Sequence, residues 1–80
     1  MSGIFGDIVT KNRLRESMMT FIEGKKAVGI NWIVGIIKDE KYGNVTKAMR
    51  KECIDFIRKE FQSNSRFQKL ESRCIEERLI

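Results

Sequence analysis

Residues 45–79, VTKAMRKECIDFIRKEFQSNSRFQKLESRCIEERL, decide the fold of this chain. Apolar side chains recur there at steps of three and four residues on both sides of the break Ser63-Asn64-Ser65, as in two amphipathic helices. Ser65 and Gln68 match a capping box at the start of the second helix. The apolar positions are Val45, Met49, Cys53, Phe56, Ile57 and Phe61, then Phe67, Leu70, Cys74, Ile75 and Leu79. The pattern predicts helices over 45–61 and 66–79.

The apolar positions of these two helices also predict which residues face each other across the hairpin. In an antiparallel hairpin, residues at equal height have position numbers with a constant sum. Four apolar pairs have sums of 127 or 128: Cys53 with Cys74, Ile57 with Leu70, Phe61 with Phe67, and Met49 with Leu79. We therefore expect an antiparallel helical hairpin. Its two cysteines should lie at one level as reduced thiols, close enough to form a disulfide under oxidation.

Two segments with helical character precede the hairpin. Residues 12–23 carry an apolar face at helical spacing, with Asn12 as the expected N-cap and Gly24 as the stop. Before them, the apolar patch 4–9 predicts one or two helical turns capped by Ser2. We therefore expect a first helix over 12–23, with the state of 4–9 left open.

Segment 27–37, AVGINWIVGII, fits both a strand and a helix. Apolar residues at every even position from 28 to 36 favour a strand, whereas continuation through Tyr42 to a stop at Gly43 gives about four helical turns. We favour a buried helix, in which Gly29 and Gly35 would indicate close packing. The predicted fold is an all-α bundle of three to four helices. An α+β fold with a short strand at 27–37 is the alternative.

Composition narrows the class of protein. The 80 residues include two Cys but no His and no Pro, so the commonest general base and zinc ligand is missing. This length supports one modest core, and we expect a single domain over 1–80 that is not an enzyme and holds no cofactor or metal. The first residues do not resemble a secretory signal, and 27–37 has about half the length of a membrane span. We expect a cytoplasmic protein.

The net charge of +5 lies entirely in residues 1–51, where ten Lys+Arg and five Asp+Glu give 10 − 5 = +5. Lys25 and Lys26 follow the first predicted helix, and Lys47, Arg50 and Lys51 share one predicted solvent-facing flank of the third. These five residues are candidate contacts for phosphate groups. The alternative is an ordinary solvated surface. If they do form a patch, the chain would be a DNA- or RNA-binding regulator using residues 11–51.

The number of large apolar side chains suggests a different class of function. Trp32 lies in an Ile/Val-rich run, which is typical of a core position. If the Trp32 side chain is exposed instead, it would anchor a protein partner. We take Trp32, Phe21 and Met18 as candidate partner-binding residues, because a monomer this small has difficulty covering all its large apolar groups. The leading hypothesis is a small regulatory or adaptor protein that binds another protein through an apolar helical face framed by basic residues and forms a homo-oligomer.

Overall fold

A computed structural model describes the backbone of residues 3–38 and 45–80, with side chains from Ile8 onward in those ranges. This part of the chain contains four helices: α1 (Gly3–Glu23), α2 (Ile30–Ile37), α3 (Lys47–Phe61) and α4 (Ser65–Glu76). The predicted all-α fold is confirmed, and no strand occurs in the described ranges. The α+β alternative is therefore wrong.

Helix α1 is a single helix, which corrects the predicted start at Asn12. Asn12 lies inside α1, where its side-chain oxygen accepts a hydrogen bond from Arg15 at 3.2 Å instead of capping. An exposed Asn only weakly disfavours a helix, so helical turns on both sides of it override its preference for the cap position. Gly24 ends the helix as predicted, with a φ of +67° that favours glycine. The predicted cap at Ser2 lies outside the described residues.

Helix α2 confirms the helical interpretation of 27–37 but begins later than predicted, after the N-cap Gly29. Its buried side chains are Ile33, Val34, Ile36 and Ile37. A Cβ atom added at Gly29 or Gly35 would meet nothing within 4 Å, so the close packing predicted for these glycines is wrong. The predicted continuation of the helix through Tyr42 to Gly43 lies outside the described residues beyond Lys38.

The antiparallel hairpin of α3 and α4 is present. Arg58 of α3 pairs with Glu71 of α4, at positions whose sum is close to the predicted one. The N-cap of α4 is Asn64, one residue before the predicted Ser65, because the Asn64 side chain accepts the hydrogen bond from the Phe67 amide at 2.9 Å. Ser65 is the first helical residue, and the Gln68 side chain instead donates to the Gln62 carbonyl. The predicted Ser65 capping box is therefore wrong, since Asn caps a helix as well as Ser does.

Helix α4 ends at Glu76, three residues before the predicted end at Leu79. Arg78 has a φ of +59°, and the Leu79 and Arg78 amides donate to the carbonyls of Cys74 and Ile75 at 2.7 and 3.1 Å. These two bonds form a Schellman motif, which folds Leu79 back into the core without continuing the helix.

Contacts between helices give their relative directions. Lys11 pairs with Glu52, and the Arg15 guanidinium lies over the Phe56 ring, so α1 and α3 run parallel with a constant difference of 41 in residue number. Similar contacts from Arg73 to Asn31 and from Arg66 to the Val28 carbonyl make α2 and α4 parallel. The core contains Leu14, Met18, Phe21, Ile22, Ile33, Ile36, Ile37, Val45, Cys53, Ile54, Ile57, Phe67, Leu70, Cys74 and Leu79.

Two residues of the predicted apolar faces lie on the surface. Phe56 of α3 is 57% exposed and Ile75 of α4 is 60% exposed. Each lies one residue, about 100° around the helix, from a buried neighbour, Ile57 or Cys74. The buried stripe of α3 uses Ile54 instead of Phe56.

Candidate functional site

The predicted partner-binding residues occupy different environments. Met18 is 0% exposed and Phe21 is 2% exposed, because both point from α1 into the core. The expectation that they form an accessible apolar face is therefore corrected, since neither can contact a partner while the chain keeps this fold. Trp32 is 37% exposed on α2 and remains a candidate contact.

Arg50 has a structural environment that differs from the predicted phosphate contact. Its Nε donates to the Leu79 carbonyl at 2.6 Å, and its Nη1 donates to the carbonyls of Ile37 and Val45, each at 3.2 Å. The guanidinium thus joins the end of α2, the residues before α3 and the end of the chain. The prediction that Arg50 lies on a solvent-facing flank is wrong, because backbone carbonyls from three segments converge on it.

The four predicted lysines do not form one patch. By the offset of 41, Lys47 is level with residue 6 of α1, whereas Lys25 and Lys26 follow its last residue, so the two groups are roughly 25 Å apart along the helix axis. Lys51 pairs with Asp55 at 3.0 Å, and Lys25 lies 3.5 Å from a carboxylate oxygen of Glu23. The structure therefore separates these cations and leaves Lys26 and Lys47 without an ion pair among the described residues.

A groove lies on the described surface between the parallel helices α1 and α3. Its volume is about 660 Å³, and its apolar lining comes from Met19, Phe56, Ile57 and Phe61. Ile8 lies seven residues before Arg15 on the same face of α1 and is also exposed, but the Lys11–Glu52 ion pair lies between it and the groove. The dimensions and lining are those of a site for apolar side chains.

The charged rim of this groove has three carboxylates and two cations, and one of the carboxylates, Glu23, is also paired with Lys25. The carboxylates belong to Glu16, Glu23 and Glu60, and the cations to Arg15 and Lys59. The Arg15 guanidinium lies 5.1 Å from the centre of the exposed Phe56 ring, where it makes a cation–π contact. Because α1 and α3 are parallel, their carboxyl ends lie at the same end of the groove, where Arg66 donates to the Phe21 carbonyl of α1.

A smaller depression lies on the adjacent flank of α1, against α2. Its volume is about 330 Å³, and it is lined by Arg13, Glu16, Ser17, Thr20, Lys26 and Trp32. Trp32 and Lys26 were predicted as parts of two separate sites, and the structure brings them together. Glu16 and Thr20 border both depressions and form the ridge between them.

The predicted site residues do not include Phe56, Met19 or Arg13, which line the two depressions. Phe56 was assigned to the buried face of α3 because its spacing from Cys53 fits a helix as well as the spacing of Ile57 does. The available signal was Ile54, since an apolar face containing 53, 54, 57 and 61 excludes position 56. No comparable signal marked Arg13, because its site depends on the packing of α1 against α2.

Both thiols are free and buried, and burial raises the pKa of each, for Cys74 to about 11. The Cys53 thiol donates to the Lys11 carbonyl at 3.7 Å and so points towards α1. The disulfide with Cys74 stays a prediction.

No helix in the described ranges is long and apolar enough to cross a membrane.

Comparison of the chain with protein-family models gave no match, and comparisons with curated proteins and with solved structures found no significant similarity.

Proposed function

We propose that this chain is a non-enzymatic, cytoplasmic regulatory or adaptor domain that binds a partner protein in the groove between α1 and α3. The occupant is an amphipathic helix of the partner, with its apolar face in the groove and lysine or arginine residues on its flank. The observation that carries this proposal is the exposed Phe56 ring, 57% accessible, at the wall of an apolar groove. Such grooves accept helices through apolar residues at i, i+3, i+4 and i+7.

Charge complementarity supports a basic flank on the occupant. Three of the five charged rim residues are carboxylates, and one of the two rim cations, Arg15, already lies over Phe56. The carboxyl end of α3 acts in the same direction, whereas that of α1 is partly offset by Arg66, which donates to the Phe21 carbonyl. A helix with acidic flanks would meet like charges at this end and would bind more weakly.

The proposal is tested with two synthetic amphipathic helices that share the same leucine face and carry either lysine or glutamate on the flanks. Calorimetric titration is expected to show tighter binding of the lysine-flanked peptide. Phe56→Ala should weaken that binding by about tenfold or more, as expected for an aromatic anchor. The matched control is Ile75→Ala, which truncates a similarly exposed residue on α4 and should leave affinity unchanged.

The double variant Glu16→Lys, Glu60→Lys tests the charge argument separately. It should reverse the preference between the two peptides, since it turns two of the three rim carboxylates into cations. Equal affinity of both peptides for the unmodified chain, or full affinity after Phe56→Ala, contradicts the proposal.

A homo-oligomer is a different occupant of the same groove. Sedimentation velocity at micromolar concentration distinguishes the two. A dimer that dissociates upon Phe56→Ala would assign the groove to a second copy of the chain and overturn the partner-helix proposal.

A further inference from the structure

The depression beside α2 differs in chemistry from the groove. Trp32 supplies one large aromatic surface, and the remaining lining consists of hydroxyl and charged groups from Arg13, Lys26, Ser17 and others. An apolar helix needs several apolar contacts along its length, which this depression does not offer. A flat aromatic ring beside cations fits a ligand that is itself aromatic and anionic.

The two cations in this depression have no carboxylate within ion-pair distance among the described residues. In this they differ from Lys11, Lys38 and Lys51, whose ammonium groups are paired. Glu16 is the one carboxylate in the lining, so Arg13 and Lys26 leave the site with a net positive charge. Both cations are exposed and can bind phosphate without first breaking an ion pair.

The size of the site matches one nucleotide unit. A volume of about 330 Å³ is at the small end of ligand sites and accommodates a single base with its backbone. A base in a duplex is paired and stacked on its neighbours, so its face is not free to lie on an indole ring. A single strand presents unpaired bases together with phosphates on both sides of each base.

We propose that the depression lined by Trp32, Arg13 and Lys26 is a binding site for single-stranded nucleic acid. One base stacks on the exposed part of the Trp32 ring, and the neighbouring phosphates contact the Arg13 guanidinium and the Lys26 ammonium group. This site is separate from the α1/α3 groove and stands on different observations.

Trp32 is the sole tryptophan of the chain, so intrinsic fluorescence reports directly on stacking at this site. A short oligothymidylate should quench the fluorescence in a saturable manner, and a duplex of the same length should not. Two phosphate contacts on a single strand predict that log K falls with log salt with a slope of about −1.4.

The variant Arg13→Ala, Lys26→Ala should weaken oligothymidylate binding by about tenfold or more at low salt and flatten this slope. The matched control, Lys47→Ala, Lys69→Ala, removes two exposed lysines that also lack ion pairs among the described residues, and should change affinity less than twofold. Trp32→Leu, followed by anisotropy of a labelled oligothymidylate, should lose about tenfold in affinity, whereas Trp32→Phe should retain part of it.

Circular dichroism establishes that each variant is folded. Three results overturn the proposal: binding without quenching, equal losses in the Arg13/Lys26 and Lys47/Lys69 variants, and no binding at ~50 mM salt, where phosphate contacts are strong. The second of these results would indicate general attraction to polyanions.

Discussion

Replacing Arg50 with methionine is expected to destabilise the fold strongly. The substitution keeps a long side chain but removes all three donations from the guanidinium to the carbonyls of Leu79, Ile37 and Val45. A hydrogen bond from a charged donor contributes about 1.5–3 kcal/mol, and a neutral one about 1. Because Arg50 is only partly buried, water can hydrogen-bond to the carbonyls in the variant and offset part of the loss. We therefore assign about 1 kcal/mol of stability to each of the three hydrogen bonds. The expected loss is about 3 kcal/mol.

This loss is large for a domain of 80 residues, whose total stability is typically about 4–12 kcal/mol. At about 4–8 °C for each kcal/mol, the melting temperature should fall by about 12–24 °C. Arg50→Lys keeps the charge but cannot reach three carbonyls with one ammonium group, so it should lose about 2 kcal/mol. Urea denaturation followed by far-UV circular dichroism measures both differences.

The control is Arg13→Met, which removes an exposed arginine without an ion pair among the described residues and should cost less than about 0.5 kcal/mol. Hydrogen exchange adds a local measurement. Loss of the Arg50 contact should accelerate exchange at the Leu79 amide, whose bond to the Cys74 carbonyl closes α4. An Arg50→Met variant as stable as the Arg13→Met control would refute the structural role assigned to Arg50.

The remaining predictions concern backbone conformation, a thiol and a carboxyl group. Gly35→Ala should raise the free energy of unfolding by about 0.5–1 kcal/mol in urea denaturation, since Gly35 lies in helix α2 with free space around it. Gly24→Ala should lower the free energy of unfolding by about 1 kcal/mol, because Gly24 has a positive φ. Cys74, with its pKa raised to about 11 by burial, should be alkylated at pH 8 far more slowly in the native protein than in urea. A hydrogen bond from Lys38 lowers the pKa of the Glu77 carboxyl group. The stabilising contribution of Glu77 should therefore be present above its ordinary pKa of 4.5 and be lost as the pH falls through the lower pKa of the folded state. Glu77→Gln should reduce this acid dependence in urea titrations between about pH 3 and 6.

The hairpin was predictable because its signals are local. The apolar spacing of 45–61 and 66–79, together with the polar break between them, predicts two helices and their antiparallel direction before any other part of the chain is considered. The same local information left an error of one residue at the α4 cap, where Asn64 and Ser65 have similar capping preferences. It also could not choose between Ile54 and Phe56, which are both apolar and lie on opposite sides of Cys53 and Ile57.

The candidate sites were less predictable because they depend on how separate helices meet. The sequence marked Trp32 as a possible anchor and Lys26 as a possible phosphate contact, yet nothing local indicated that they share a depression with Arg13. Arg50 illustrates the same limit, since its carbonyl partners lie 5, 13 and 29 residues away along the chain. Met18 and Phe21 were correctly identified as apolar residues of α1, but their burial follows from the packing of the other helices around them.

The charge of the whole chain is a poor guide to the charge of its groove. The net charge is +5, yet carboxylates are the majority of the charged groups on the α1/α3 rim. Among the described residues, six of the cations form ion pairs, and Arg50 and Arg66 bind backbone carbonyls. The uncommitted positive charge of Arg13 and Lys26 lies in the other depression. A basic helix in the groove and a nucleic acid strand beside Trp32 would both bind more weakly at high salt. Salt dependence alone therefore cannot identify which surface is occupied, whereas Phe56→Ala and Arg13→Ala, Lys26→Ala each remove one interaction and leave the other.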